Sequence, residues 1–135
     1  VVGLDHRFGW SPDLPDWIQI IALIVIQLGS LLGSWAMVVN RYFSSQVRIQ
    51  TDRGQEVVRE GPYRFVRHPG YAGALLSWLA APVFFSSLWV ILPTALVIIA
   101  SLFRTALEDR TLQEELPGYE EYTHQTKHRL VPGVW

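Results

Sequence analysis

The residues able to do chemistry fall in two short clusters. The first is "GPYRFVRHPGYAGALL", residues 61–76, where Tyr63, Arg64, Arg67, His68 and Tyr71 are interleaved with Gly61-Pro62 and Pro69-Gly70. The second is Arg104 with Glu108 and Asp109. Tyr63 and Tyr71 offer flat faces with a hydroxyl at one end, and His68 offers a donor and an acceptor near neutral pH. Arg104 and Glu108 stand at i and i+4, one turn apart on the same helix face. Such groups suit a polar, aromatic, partly cationic ligand. Arg104 is also able to grip a carboxylate through two hydrogen bonds. The same residue types also occur as arginines snorkelling to lipid phosphates and tyrosines in an aromatic belt.

The elements that must position these clusters are apolar. Ile18 to Val39 carries no charge over 22 residues. As a helix it spans roughly 33 Å, enough for a hydrocarbon core of about 30 Å. Trp17 and Tyr42 flank it, so a membrane span is expected over residues 17–42. The second uncharged run, Gly70 to Phe103, would reach about 51 Å as one helix, which is too long for one crossing. Pro82, Ser86-Ser87 and Pro93 offer breaks, so a helical hairpin is expected over 70–107 with its tip near Ser86. Its first arm, about 71–85, is short. Its second, about 88–107, runs on as a polar helix through "RTALEDRTLQEEL", and Leu116-Pro117-Gly118 stops it. A short polar helix is expected at Tyr119 to Thr126. Antiparallel arms bring Arg104 and Glu108 beside Gly70–Ala74, which creates a shared pocket with His68 and Tyr71.

Charge gives an orientation. The loop between the runs holds Arg41, Arg48, Arg53, Arg59, Arg64 and Arg67 against Asp52, Glu56 and Glu60, whereas the leading segment holds only Arg7 against Asp5, Asp13 and Asp16. Basic residues mark the cytoplasmic side, so the loop and the C-terminal segment, 108–135, are expected there together. The expected fold is an all-α integral membrane helical bundle of one domain, 1–135. It has one long span plus a transmembrane hairpin, with the loop and C-terminal helices forming the site. Gly29 and Gly33 make a small-xxx-small pattern suited to a neighbouring helix. The chain begins Val-Val and its sole methionine is Met37, which leads us to expect upstream helices missing from this chain.

Several chemistries are excluded or weakened. With no cysteine among 135 residues there is no disulfide, thiolate nucleophile or cysteine metal site. The net charge of −1 gives no pull toward nucleic acid, and none is expected as a partner. His124 and His128 are spaced i, i+4, but no HExxH pattern accompanies them and no metal is expected. No GxGxxG or βαβ pattern exists to carry a Rossmann nucleotide site.

"RHPGYAG", Arg67 to Gly73, resembles the RHPxYxG motif of the isoprenylcysteine carboxyl methyltransferase family, which is similar to the phospholipid methyltransferases. "GPY" at 61–63 precedes it, "ED" at 108–109 follows the last apolar helix, and "LPGYEEY" and "RLVPG" resemble the family's C-terminal pattern. The resemblance covers roughly Arg41 to Trp135. Asp109 stands where a second Glu is usual. The resemblance implies an S-adenosylmethionine-dependent methyltransferase acting on a lipophilic acceptor, by carboxyl O-methylation. His68, Pro69, Gly70 and Tyr71 would line the cofactor pocket with Tyr63 and the stretch Gln55, Glu56, Val57 and Val58. Glu108 would hold the cofactor's polar end. Arg104 would face the acceptor, and with Glu108 forms the expected catalytic pair. Membrane lipids are the expected surroundings, and a bacterial inner membrane the expected location. A sterol-reductase-type oxidoreductase and a non-enzymatic lipid-binding protein are the alternatives.

Overall fold

A computed structural model describes residues 1–44 and 49–135; Arg48 of the basic loop lies outside the described residues. Among the described residues five helices occur in order: α1 (Val2–Phe8), α2 (Asp16–Val39), α3 (Pro69–Phe84), α4 (Ile91–Glu115) and α5 (Tyr119–Gln125). No strand occurs among the described residues, and the all-α expectation holds.

Each boundary has a local cause. Pro69 opens α3 at a position whose amide lacks an intrahelical partner anyway. The hairpin turns where the sequence places it: Ser86 takes a positive φ of 50° between Phe85 and Ser87. A single 3-10 turn, Leu88–Val90, then leads into α4. Pro82 and Pro93 break nothing, because one lies in the last turn of α3 and the other in the first turn of α4. Leu116 is extended, and Gly118 at φ 81° admits the left-handed step that redirects the chain into α5. α1 is a helix that the apolar runs do not mark.

α2 and α3 pack antiparallel along their small residues. A Cβ on Gly73 would lie 2.9 Å from the Gly33 nitrogen and closer still to the Gly29 carbonyl. Ser77 Oγ donates to Ile26 O across the same seam at 3.1 Å. The Gly29/Gly33 pattern therefore has its neighbour within the chain, and the small face of α3 is spent on α2 rather than turned to α4. Close backbone approach of this kind supplies the dispersion contact that lipid cannot out-compete.

α2 and α4 are long and apolar enough to cross a membrane, and only 17% and 11% of their apolar windows are buried inside the protein. Ile20, Ile24, Leu28, Leu31, Leu92, Leu96, Phe103 and Leu107 point outward. A core helix of a water-soluble protein would bury most of this surface. Tyr42 corrects one expectation. It does not flank α2 in an aromatic belt. It is buried at 5% exposure, donates from its hydroxyl to Gly54 O at 2.9 Å, and carries Arg41 over its ring at 4.7 Å.

Candidate active site

The site lies where α3 begins and α4 turns polar. Gly33 of α2 is level with Gly70 of α3. From there α2 continues to Val39, residues 34–39, so six more residues or roughly 9 Å rise past the start of α3. The start of α3 is thus recessed below the end of its neighbour. The loop 49–66 and the C-terminal segment fill the step.

A cavity of about 420 Å³ occupies this recess. Gln55, Glu56, Val57, Val58, Tyr63, His68, Gly70, Tyr71, Arg104 and Glu108 all line it. Pro69 does not: it is fully buried at the first position of α3, and its part is to start that helix beneath the cavity. Phe43, Trp78, Tyr119 and Tyr122 add aromatic walls.

Tyr71 joins the two expected catalytic residues. Arg104 Nε donates to the Tyr71 hydroxyl at 2.7 Å, and that hydroxyl donates to Glu108 Oε2 at 2.9 Å. Glu108 Oε1 stands 3.9 Å from His68 Nδ1. A cation, a phenol and a carboxylate thus sit in sequence along one wall, and the Glu108 side chain keeps 26% of its surface exposed.

Asp109, one residue on, lives differently. It is wholly buried. Its Oδ1 accepts from Arg67 Nε at 2.8 Å, His68 Nε2 at 3.1 Å and Tyr119 Oη at 3.0 Å. Its Oδ2 accepts from Arg67 Nη2 at 3.0 Å, Gln113 Nε2 at 2.8 Å and Arg129 Nε at 2.8 Å. A carboxylate can accept this many donors only while ionised, so His68 presents Nε2–H to it. Arg67 also donates to Thr126 O and Lys127 O, both at 2.9 Å, while the amides of Arg67 and His68 bond His128 O and Arg129 O. One buried carboxylate therefore pins α3, α4 and the C-terminal segment together and holds His68 in place against the cavity.

The tyrosines complete the frame. Tyr63 accepts from Asn40 Nδ2 at 3.1 Å and donates to Ala36 O, near the end of α2. Tyr122 donates to Tyr63 O at 2.6 Å. Burial raises the Tyr63 and Tyr122 phenol pKa values, and burial plus the adjacent Asp109 raises that of Tyr119. All three remain protonated donors at neutral pH.

Sequence reasoning missed the clamp formed by Arg67, Asp109, Tyr119, Tyr122 and Arg129. Its signals were present as two arginines of "RHP" and "RLVPG", an acid beside Glu108, and two tyrosines in "YEEY". Nothing in spacing alone says that these converge from three segments.

Fold and cavity together define an integral membrane helical protein with a polar site recessed at one end of its spans. The isoprenylcysteine carboxyl methyltransferase family model matches residues 20–116, and the chain belongs to that family. It is similar to a probable protein-S-isoprenylcysteine O-methyltransferase of Oryza sativa subsp. indica, 29% identical over 68 residues, which cover 48% of this chain and 36% of the relative. It is also similar to protein-S-isoprenylcysteine O-methyltransferase B of Arabidopsis thaliana, 34% identical over 61 residues, covering 44% and 31%. An uncharacterised protein of Bacillus subtilis (strain 168), YpbQ, is 28% identical over 102 residues, covering 73% and 58%. The chain spans about a third of the length of the plant relatives it matches.

Proposed function

We propose that this chain carries the site of an S-adenosylmethionine-dependent methyltransferase that methylates a lipophilic carboxylate at the membrane interface. The observation that carries the reading is the Arg104–Tyr71–Glu108 wall of the recessed cavity. It sets a carboxylate and a cation a few ångströms apart in a chain of this family. The names of the plant relatives point to isoprenylated cysteine as their acceptor. A lipophilic acid of that general kind is the acceptor class we infer here.

The residues present fit the cofactor. A volume of about 420 Å³ is within the usual range for ligand pockets. Glu108 offers a carboxylate to an ammonium or sulfonium, and Tyr63, Tyr71, Tyr119 and Phe43 offer aromatic faces for a flat base or a cation. S-Adenosylmethionine would supply an electrophilic methyl group on a sulfonium. The chain's own contribution is alignment and the exclusion of water. Glu108 holds the positive end of the donor. Arg104 orients the acceptor carboxylate with two hydrogen bonds, and no general base is needed because a carboxylate is already the nucleophile. An amine acceptor would have to lose a proton beside a guanidinium, which disfavours it. The cavity is recessed below the end of α2, and on this reading the acceptor's acid reaches Arg104 while its tail stays in lipid.

The cytoplasmic face is the inferred side of the site, supported by Arg41, Arg53, Arg59 and Arg64 at this end against Arg7 alone in the leading segment at the other. A bacterial membrane is the inferred location, and the 102-residue match to a Bacillus subtilis protein is what supports it. The test is transfer of labelled methyl from S-adenosylmethionine by the detergent-solubilised protein, offered prenylated cysteine, a fatty acid and phosphatidylethanolamine. Transfer to the acids alone is expected. Transfer to phosphatidylethanolamine alone would contradict the role given to Arg104.

A further inference from the structure

α1 is built inside out for a helix in water. It turns a carboxylate inward: Asp5 is only 2% exposed. Its apolar residues Leu4 and Phe8, and Val1 at its N-cap, are 52%, 57% and 65% exposed, and Trp10 follows at 52%. Positions 1, 4 and 8 are spaced i, i+3, i+7, so they form one stripe on one side of the helix. A helix that buries its acid and exposes its hydrophobes is stable only where the exposed side meets something apolar.

The segment is held in that posture by the hairpin turn. Ser11 Oγ donates to Asp5 Oδ2 at 2.6 Å, and Ser87 Oγ donates to the same oxygen. Leu88 N donates to Ser11 Oγ at 2.9 Å, and Leu14 N to Ser86 Oγ at 2.6 Å. His6 Nε2 bonds Phe85 O at 3.2 Å. These bonds pair the hydroxyls of Ser11, Ser86 and Ser87 and the amides of Leu14 and Leu88, while Asp5 Oδ1 is buried without a partner. They also fix the level of the segment: Leu14 and the start of α2 are beside Ser86, at the end of the bundle opposite the cavity. At this level aromatic rings collect. Phe8 stacks on Trp10 at 5.3 Å between centroids, Trp10 meets Trp89 at 5.7 Å, and Trp17 is 63% exposed. Indoles at one level on the rim of lipid-facing helices match the preference of Trp for the bilayer interface.

We infer that residues 1–17, clasped to the hairpin turn through Asp5, form an interfacial collar. Its Val1–Leu4–Phe8 stripe lies in the headgroup–acyl boundary of the leaflet opposite the site. The bilayer is the occupant that the structure favours, because Phe8 of the stripe stacks on Trp10, and Trp10 meets Trp89 at the foot of α4, whose apolar face is turned outward. The collar sets the depth of the bundle, so that the cavity end is held at the other surface. It does not depend on the proposed reaction.

The chain lacks cysteine, so single-cysteine nitroxide labelling is clean. Labels are placed at Leu4, at Leu96 on the outward face of α4 as a hydrocarbon reference, and at exposed Glu60 as an aqueous reference, in the full chain in liposomes. Collisions with oxygen and with a water-soluble nickel chelate give depth. The label at Leu4 is expected about 5–10 Å into the boundary, between the two references. Nickel accessibility equal to that of the Glu60 label would overturn the inference, as would a depth equal to that of Leu96. Shielding from both reagents, or dipolar broadening between labels, would mean that protein covers the stripe, and that also overturns it. Asp5→Ala is expected to raise nickel accessibility at Leu4 several-fold while leaving Leu96 unchanged. Ser11→Ala is the milder variant should Asp5→Ala fail to fold, and it should move the label the same way. No movement in either would remove Asp5 as the clasp.

Discussion

Glu108 and Asp109 are neighbours on α4, about 100° apart around its axis. Asp109 points into protein, is fully buried, and has both oxygens occupied by Arg67, His68, Tyr119, Gln113 and Arg129. Glu108 points into the cavity, is partly exposed, and takes one hydroxyl from Tyr71 on Oε2. A carboxylate surrounded by fixed donors has nothing left to offer a ligand, and acts as a joint. A carboxylate at a cavity wall retains acceptor capacity for a ligand cation. The same helix therefore carries a buried structural acid and, side by side with it, the acid we propose for binding, and geometry rather than residue type separates them.

Mutation can break or sharpen that contrast. The largest effect is expected at Asp109→Ala, which leaves the buried Arg67 without its carboxylate. Removing one side of a buried pair costs about 3–5 kcal/mol, so chemical unfolding in detergent should show a loss of that size. A loss below about 1 kcal/mol would make Asp109 no joint at all. Glu108→Gln should leave unfolding nearly unchanged but weaken S-adenosylmethionine binding. Loss of a charge-assisted hydrogen bond is worth about 1.5–3 kcal/mol, hence at least tenfold in affinity by calorimetry. Arg104→Lys keeps charge but loses the planar fork. We expect cofactor affinity within a few-fold of wild type and methyl transfer to a lipophilic carboxylate down at least about tenfold, roughly 1.4 kcal/mol. Joint loss of binding and transfer would instead tie Arg104 to the cofactor side of the wall. At the small end, Glu114→Ala removes an ion pair with Arg110 whose side chains are 57% and 75% exposed. No measurable change in stability or transfer is expected there.

The cavity wall was legible from sequence and the clamp was not, for a physical reason. Arg104 and Glu108 are one turn apart on one helix, so local periodicity is enough to place them together. Tyr71 reaches them because the hairpin tip at Ser86 fixes the antiparallel pairing of α3 and α4. The clamp draws on positions 67, 109, 119, 122 and 129, joined by backbone bonds from His128 and Arg129 to the "RHP" segment. No period links those positions. Pro69 was read as a cavity residue because it sits within the motif, yet its rigid ring is spent on starting α3. The glycines of α2 pointed to a helix partner, but sequence could not say that the partner was α3. α1 has neither the length nor the apolar content to stand out, and its exposed stripe has meaning only once Asp5 is seen turned inward.

The most direct measurement is calorimetric titration of S-adenosylmethionine into wild type, Glu108→Gln and Asp109→Asn, with an unfolding curve recorded on each preparation. The account predicts a crossover. Glu108→Gln should bind at least tenfold more weakly at unchanged stability, whereas Asp109→Asn should lose stability and bind nearly normally in its folded fraction. The account is contradicted if Glu108→Gln binds as wild type does, or if Asp109→Asn is fully stable and fails to bind.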